Sequence, residues 1–216
     1  MSIPFSEQEI KVLDRVIETR RSIRTFKENA PSEAEIRAII HAGAYAPYAA
    51  LAVGETPDFR RFFVFRRGSN NLSLMNEIIK KVAKATVAGL EKDIQSKPSL
   101  KEKAARYIQR MSGVSQNGFP GLTGVPCFIV VAEHRGIPVA EKQSLAHIMQ
   151  NMWLKATALG LGFQLVSVTE SLTDVQEFAN LLKLPFDEFA FNGCIVGYPA
   201  QEPAPRKAIS EEITWL

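Results

Sequence analysis

The chain has 216 residues, of which 46% are hydrophobic and 23% are charged, and its formal net charge is +3. This charge is too balanced for a protein that binds nucleic acid by neutralising many phosphates, so we expect no nucleic-acid partner. No apolar run approaches the roughly 18 residues of a membrane span and no basic segment leads into an apolar one at the N-terminus, so we expect neither membrane insertion nor export and predict a cytoplasmic protein.

Capping boxes predict the first two helices. The motifs S-E-Q-E at 6–9 and S-E-A-E at 32–35 each place a serine three residues before a glutamate, and apolar residues follow at helical spacing. The first helix should therefore run from about 6 to 20, and the second from about 32 to 45. A basic segment followed by a loop lies between them.

Later in the chain, nearly continuous apolar runs predict strands that are covered on both faces. These strands are expected at 60–66, 126–132, 163–168 and 189–197. Helices are expected at 72–94, 99–111, 139–159 and 173–182, with a glycine-rich loop at 112–124. Because the helices and strands do not alternate regularly, we predict an α+β fold, with a mostly antiparallel sheet between helical layers. No Pro-rich or Gly/Ser-rich stretch divides the chain, so residues 1–216 should form a single domain.

The basic segment reads I-E-T-R-R-S-I-R-T-F at 17–26 and places Arg20, Arg21 and Arg24 around Ser22. Guanidinium groups are planar forked donors and a serine hydroxyl is a short neutral donor, so this combination suits a phosphate. The alternative is that the arginines offset the negative end of the helix dipole, which is worth roughly 0.3–1 kcal/mol. The segment by itself leaves both interpretations open.

The two cysteines could be core thiols, a disulfide or a catalytic thiol. Cys127 and Cys194 each lie within an apolar strand-like run, and neither belongs to a CxxC motif or has the spacing of a metal site. We expect both to be reduced thiols in the core.

Several segments, taken in order, resemble the nitroreductase family of FMN-dependent oxidoreductases. They are R-R-S-I-R at 20–24, A-P at 46–47, Q-N-M-W-L-K-A-T-A-L-G-L-G-F at 150–163, L-L-K-L-P at 181–185 and I-V-G-Y-P at 195–199. Each is short, but together they follow the order and spacing of the family over most of the chain. The resemblance implies a nitroreductase-like fold, an interwoven homodimer with a C-terminal arm at 198–216, and FMN bound across the dimer interface.

The resemblance implies a phosphate site built on the arginine segment. Arg20 and Ser22 match the residues that face the phosphate and the ribityl chain, and Arg21 belongs to the same segment. Arg24 matches the residue that reaches toward the pyrimidine edge of the flavin. The basic residues that follow G-Y-P and complete the phosphate site are Arg206 and Lys207.

The resemblance also implies contacts to the flavin ring. Ser167 and Val168 fall at the predicted end of the third strand, from which family members present a main-chain N–H to flavin N5. Pro47 and Tyr48 fall in the loop of the other subunit, which packs near the ring.

One segment departs from the family. After A-P the family usually has Ser, then Asn, then Gln-Pro-Trp, whereas this chain reads Y-A-A-L at 48–51 and T-P-D-F at 56–59. The Asn that pairs with the pyrimidine edge has no clear counterpart, and Arg60 or Arg61 is a candidate for the missing donor.

The implied activity is transfer of a hydride from NADH or NADPH through flavin N5 to a small-molecule acceptor, such as a nitroaromatic or a quinone. No catalytic side chain is expected, because the flavin carries the redox chemistry. The altered segment leaves two alternatives open: a flavin-binding protein without this turnover, or a family variant that performs flavin fragmentation or reductive dehalogenation.

Overall fold

The computed structural model describes residues 4–48, 59–204 and 209–216. The helices are α1 (Glu7–Thr19), α2 (Glu33–Ala44), α3 (Asn70–Ser96), α4 (Leu100–Asn117), α5 (Glu141–Ala158) and α6 (Gln176–Leu182). The strands are β1 (Arg60–Arg66), β2 (Cys127–His134), β3 (Gly162–Leu165) and β4 (Phe189–Gly197). Short 3₁₀ turns occupy Leu122–Gly124 and Ser167–Leu172.

The strands form one sheet in the order β1-β2-β4-β3, and each neighbouring pair is antiparallel. Alternate residues of β2 enter two different cores: Phe128 and Val130 pack in a cluster with α3, α4 and α6, while Ile129 and Val131 pack in a cluster with α2 and α5. Because both faces of β2 are covered, its apolar run is continuous. The predicted α+β fold, with an antiparallel sheet between helical layers, is confirmed.

Both capping boxes are formed. The side chain of Ser6 accepts a hydrogen bond from the main-chain N–H of Glu9, and the Glu9 carboxylate accepts from the main-chain N–H of Ser6. Ser32 and Glu35 repeat this arrangement at the start of α2. Glu35 also accepts a hydrogen bond of 3.0 Å from the hydroxyl of Tyr198, which links the end of the sheet to the start of α2.

The predicted loop at 112–124 is partly wrong, because α4 continues to Asn117. Met111 and Val114 are buried in the core below α4, and this packing outweighs the low helix propensity of Gly113. The helix ends at Gly118, whose φ of 78° lies in the region that favours glycine.

The third strand was predicted too long. It ends at Leu165, and the chain then turns into the 3₁₀ segment Ser167–Leu172. The Thr169 hydroxyl donates to the carbonyl of Val166 at 2.7 Å, which stabilises this turn. The following helix therefore begins at Gln176 instead of near 173.

Among the described residues, no helix combines the length and the apolar character that crossing a bilayer requires.

Candidate functional site

The arginine segment continues as an extended stretch that joins two parts of the sheet. On one side, the main-chain N–H of Ile23 donates to the carbonyl of Phe163 in β3 at 3.1 Å. On the other side, the N–H of Lys27 donates to the carbonyl of Tyr198 at 2.8 Å. Residues 22–27 are thus held between the edge strand β3 and the chain that leaves β4.

Two glycines explain why this docking is close. Gly160, just after α5, has a φ of 72° and allows the chain to turn into β3. At Gly162, an added Cβ would lie 2.8 Å from Cβ of Ile23, a distance that real side chains do not adopt. The second glycine of G-L-G is therefore required for the arginine segment to approach β3.

Arg20 is half-buried and lies against the indole of Trp153 on α5. Its guanidinium carbon is 4.2 Å from the ring centroid, within the range of a cation–π contact. The same indole stacks on Phe163, with centroids 5.1 Å apart and an interplanar angle of 19°. Its N–H donates to the main-chain carbonyl of Arg21 at 3.1 Å. Trp153 therefore contacts both the side chain and the main chain of the arginine segment.

Arg21 bonds to the main chain around it. One guanidinium nitrogen donates to the carbonyls of Glu18 at 2.6 Å and Arg20 at 2.9 Å, while Nε donates to Ala204 at 3.4 Å. The first two carbonyls belong to the end of α1, where cationic donors satisfy unpaired groups and offset the dipole. In this structure Arg21 thus has the role that the helix-end interpretation gave to all three arginines.

Ser22 and Arg24 are exposed beside the edge strand. Arg24 lines a small cavity of about 170 Å³ together with Gln164 of β3 and Ile195 of β4. A hydroxyl and a second cation therefore follow Arg20 along β3. Guanidinium, hydroxyl and amide donors of this kind suit an anionic ligand with a polar edge.

Ser167 and Val168 directly follow the edge strand, in the 3₁₀ turn. Ser167 is exposed, whereas the side chain of Val168 is 9% exposed and belongs to the core cluster. Only the main chain of Val168 can therefore serve a ligand.

Pro47 and Tyr48 do not join the arginine segment within one chain. The Tyr48 hydroxyl donates to the carbonyl of His134 at 3.0 Å, at the far end of β2. The arginine segment lies level with Cys127, at the other end of this eight-residue strand. At about 3.3 Å a residue, the two ends are roughly 23 Å apart. Burial raises the pKa of the Tyr48 hydroxyl, with the nearby Glu133 adding to the effect.

Arg206 and Lys207 lie outside the described residues. The last described residue before the gap at 205–208 is Ala204, whose carbonyl accepts the hydrogen bond from Arg21. Ala204, two positions before Arg206, thus contacts the arginine segment.

A buried ion pair was not predicted from the sequence. Arg60 and Glu133 lie opposite each other in β1 and β2, and Nη2 of the arginine is 2.7 Å from Oε2 of the glutamate. Their side chains are 4% and 0% exposed. Arg60 also donates to the carbonyls of Ala44 and Ala46, at 3.1 and 3.0 Å. The guanidinium is enclosed by its own chain, which argues against Arg60 as the donor that replaces the missing Asn. The available signal was Glu133 itself, a carboxylate within an apolar strand.

Arg61 is the other candidate for that donor. It is exposed and lies over the ring of Phe189, with 5.4 Å between the guanidinium carbon and the centroid.

An apolar groove runs between α1 and α5. It has a volume of about 730 Å³ and is lined by residues that include Ile10, Leu13, Leu154 and Ala158. Helix α1 contributes exposed apolar side chains to it and buries no residue. An amphipathic helix of this kind has an apolar face without a partner in the described chain.

No cluster of three or more His, Cys, Asp or Glu side chains among the described residues has the arrangement of a metal site. The donors gathered along β3 are of the types that suit an anionic ligand.

Comparisons with known proteins identify the family of the chain and its fold. Residues 17–198 match the sequence model of the Nitroreductase family. None of the curated protein sequences matches the chain.

Solved structures share the fold. A nitroreductase from Bacteroides fragilis with bound FMN is 19% identical, with a TM-score of 0.68 over 94% of this chain and 98% of that one. A nitroreductase from Desulfitobacterium hafniense with bound FMN is 23% identical, with a TM-score of 0.60 over 95% and 98%. An iodotyrosine deiodinase bound to FMN and 3-iodo-L-tyrosine is 19% identical, with a TM-score of 0.63 over 94% and 97%.

Proposed function

The chain belongs to the nitroreductase family, and from this premise we propose that it is an FMN-dependent oxidoreductase that takes electrons from NADH or NADPH. The acceptor is a small molecule such as a nitroaromatic or a quinone. The observation that carries this proposal is the arginine segment itself: it is docked on the edge strand, with Arg20 held against Trp153 and with Ser22 and Arg24 exposed.

The donors along β3 fit the polar parts of FMN. Arg20 and Ser22 bind the phosphate and the ribityl chain, and Arg21 adds positive charge beside them. Arg206 and Lys207 complete the phosphate site, which is supported by the contact between Ala204 and Arg21. A phosphate held by several guanidiniums gains charge-assisted hydrogen bonds, which are the stronger class in proteins.

At the ring, the chain supplies orientation and electrostatics. Arg24 would hold the pyrimidine edge of bound FMN, where a cation would favour added negative charge. Ser167 and Val168 offer main-chain N–H groups to N5. FMN, when bound, supplies the hydride chemistry, so the protein requires no acid–base side chain of its own.

We further propose that the active form is an interwoven homodimer in which Pro47 and Tyr48 of one subunit approach the flavin of the other. The roughly 23 Å length of β2 separates them from the arginine segment within a chain, which supports a site completed by a second copy. Residues 1–216 then form one domain, with an arm at 198–216.

The exposed apolar surface supports this dimer. Ile213 and Trp215 of the arm are 63% and 88% exposed, and the groove between α1 and α5 is also uncovered. Contiguous exposed apolar surface often marks an interaction site in proteins. Light scattering of the purified protein should give the mass of two chains.

The function is tested by anaerobic reduction. Protein loaded with FMN is mixed with NADH or with NADPH, and loss of the visible flavin absorbance is followed. We expect at least one of the two to remove this absorbance and a quinone or nitroaromatic to restore it. FMN that stays oxidised with both nucleotides would contradict the proposed activity.

The altered segment motivates a second candidate. The rings of Tyr48 and Phe59, whose centroids are 4.9 Å apart, flank in sequence the segment that departs from the family pattern. A site with aromatic borders fits a changed acceptor, as in reductive dehalogenation or flavin fragmentation. Chromatography of the products would identify either reaction, and bound FMN without any turnover would identify a flavin-binding protein.

A further inference from the structure

Trp153 makes two separate contacts with the arginine segment. Its ring face meets the guanidinium of Arg20, with 4.2 Å from the guanidinium carbon to the centroid. Its indole N–H donates to the main-chain carbonyl of Arg21 at 3.1 Å. The first contact orients a side chain, and the second fixes the main chain from which that side chain leaves.

The indole is itself held by rigid parts of the fold. It stacks on Phe163, which is 0% exposed in β3, and it follows the buried Met152 on the long helix α5. A side chain supported by a helix and a strand holds its neighbours more accurately than one on a loop. The stack on Phe163 therefore fixes the position of the indole, and the indole in turn restricts the half-buried side chain of Arg20.

We propose that Trp153 is a positioning residue that sets the Arg20 guanidinium for the phosphate of FMN. This inference rests on the proposed function. An arginine side chain has several rotatable bonds, and an unrestrained guanidinium must lose that freedom when it binds an anion. Contact with the indole already restricts the Arg20 side chain before FMN binds, so less conformational entropy is lost when the guanidinium binds the phosphate.

The chemistry of the ring predicts an order of effects. Trp153→Phe keeps an aromatic face, although a weaker one for cations, and loses the hydrogen bond to Arg21. Trp153→Leu loses both contacts. We expect the dissociation constant for FMN to rise by about 3- to 30-fold in Trp153→Leu, which is the range of a cation–π contact converted to affinity. The rise in Trp153→Phe should be smaller.

Riboflavin separates positioning from a general structural role. It has the flavin ring and the ribityl chain of FMN but no phosphate, so Arg20 should contribute little to the affinity of the protein for riboflavin. Trp153→Leu should therefore weaken FMN binding while leaving riboflavin binding nearly unchanged. If Trp153 only filled space below the site, both affinities would fall together.

A double-mutant cycle provides a second readout. If Trp153 acts through Arg20, then Trp153→Leu should have little further effect on FMN affinity in the Arg20→Met background. Additive losses would overturn the inference. A matched control is Tyr107→Leu, since Tyr107 is an aromatic residue on α4 that is 47% exposed and outside the site.

The experiment is a titration of FMN and riboflavin by apoprotein, followed through flavin fluorescence, with circular dichroism of each variant to check folding. If Trp153→Leu does not fold, the ratio of the FMN affinity to the riboflavin affinity is compared between wild type and Trp153→Phe instead. Wild-type protein that binds no FMN would contradict the proposed function. Wild-type protein that binds FMN, with a Trp153 variant that binds it equally well, would overturn the inference alone.

Discussion

Arg60 and Glu133 form a fully enclosed ion pair between β1 and β2, in which Nε of the arginine donates to a carboxylate oxygen at 2.8 Å. The side chains are 4% and 0% exposed. Burial raises the pKa of the Glu133 carboxyl, and the hydrogen bond from Arg60 opposes that rise. Because Arg60 also donates to the end of α2, the pair fixes the helix that leads into the altered segment.

Replacing Arg60 should therefore be costly. In Arg60→Met the Glu133 carboxylate stays buried without its cation, and we expect the free energy of unfolding to fall by about 3–5 kcal/mol. Urea denaturation measures this change. The control is Arg61→Met, at the exposed neighbouring position, which should change stability by less than about 0.5 kcal/mol.

The double variant Arg60→Met with Glu133→Leu should recover much of the lost stability, since it removes both buried charges. An Arg60→Met protein as stable as the Arg61→Met control would show that the pair does not have this role.

Gly162→Ala should separate the arginine segment from β3. The added Cβ would lie 2.8 Å from Cβ of Ile23, so the segment must shift. We expect a loss of about 1–3 kcal/mol in stability and a weaker affinity for FMN. Gly89→Ala on α3 is the matched control, because nothing lies within 4 Å of its added Cβ and alanine favours a helix. Equal behaviour of the two variants would exclude the close-packing argument.

Replacing Arg20 should mainly weaken FMN binding, whereas replacing Arg21 should mainly lower the stability of the fold. Arg21 bonds to three main-chain carbonyls, two of them at the end of α1. We expect Arg21→Met to lower the free energy of unfolding by about 1 kcal/mol, with a smaller effect on FMN affinity than Arg20→Met has. Thermal denaturation and FMN titration of both variants provide the comparison. If Arg20→Met lost more stability and Arg21→Met lost more FMN affinity, the helix-end role would belong to Arg20.

The cysteine thiols should be unreactive in the folded protein. Both are free and buried, and burial raises the pKa of Cys127 to about 12 and also raises that of Cys194. A thiol reagent at pH 8 should react with neither cysteine in the native protein and with both in denaturant. Rapid reaction of the native protein would contradict the buried positions.

The raised pKa values of the two thiols also predict how the stability of the protein depends on pH. Below the ordinary thiol pKa near 9.0, the thiols are protonated in both the folded and the unfolded chain. As the pH rises above that value, only the unfolded chain ionises, so this contribution to stability is lost as the pH approaches 12. Urea midpoints should therefore decrease more in wild type than in a Cys127→Ala variant between about pH 8 and pH 10.

The sequence predicted the elements whose signals are local. Capping boxes located the first two helices, and continuous apolar runs located β1 and β4 with the bounds that the structure has. Local signals were insufficient where tertiary contacts decide. Burial of Val114 extended α4 through Gly113, and the turn after Leu165 shortened the third strand.

The candidate site was predicted in composition more than in geometry. The segment R-R-S-I-R left the phosphate and helix-end interpretations open until the family resemblance favoured a phosphate site, and it could not divide the arginines between α1 and the exposed edge of β3. Nor could it predict the contacts of Trp153 with Arg20 and Arg21, because contacts between residues more than a hundred positions apart depend on the fold. The resemblance placed Tyr48 in the loop near the flavin ring of the other subunit, while its bond to the His134 carbonyl required the structure.

The central claim is that the arginine segment holds the phosphate of FMN. The most direct measurement is the visible absorbance of purified protein after mixing with excess FMN and desalting, for wild type and for Arg20→Met. We predict a stoichiometric flavin content in wild type and a sharply reduced content in the folded variant. Wild-type protein that is folded and emerges colourless, or an Arg20→Met variant that retains as much FMN as wild type, would contradict the claim.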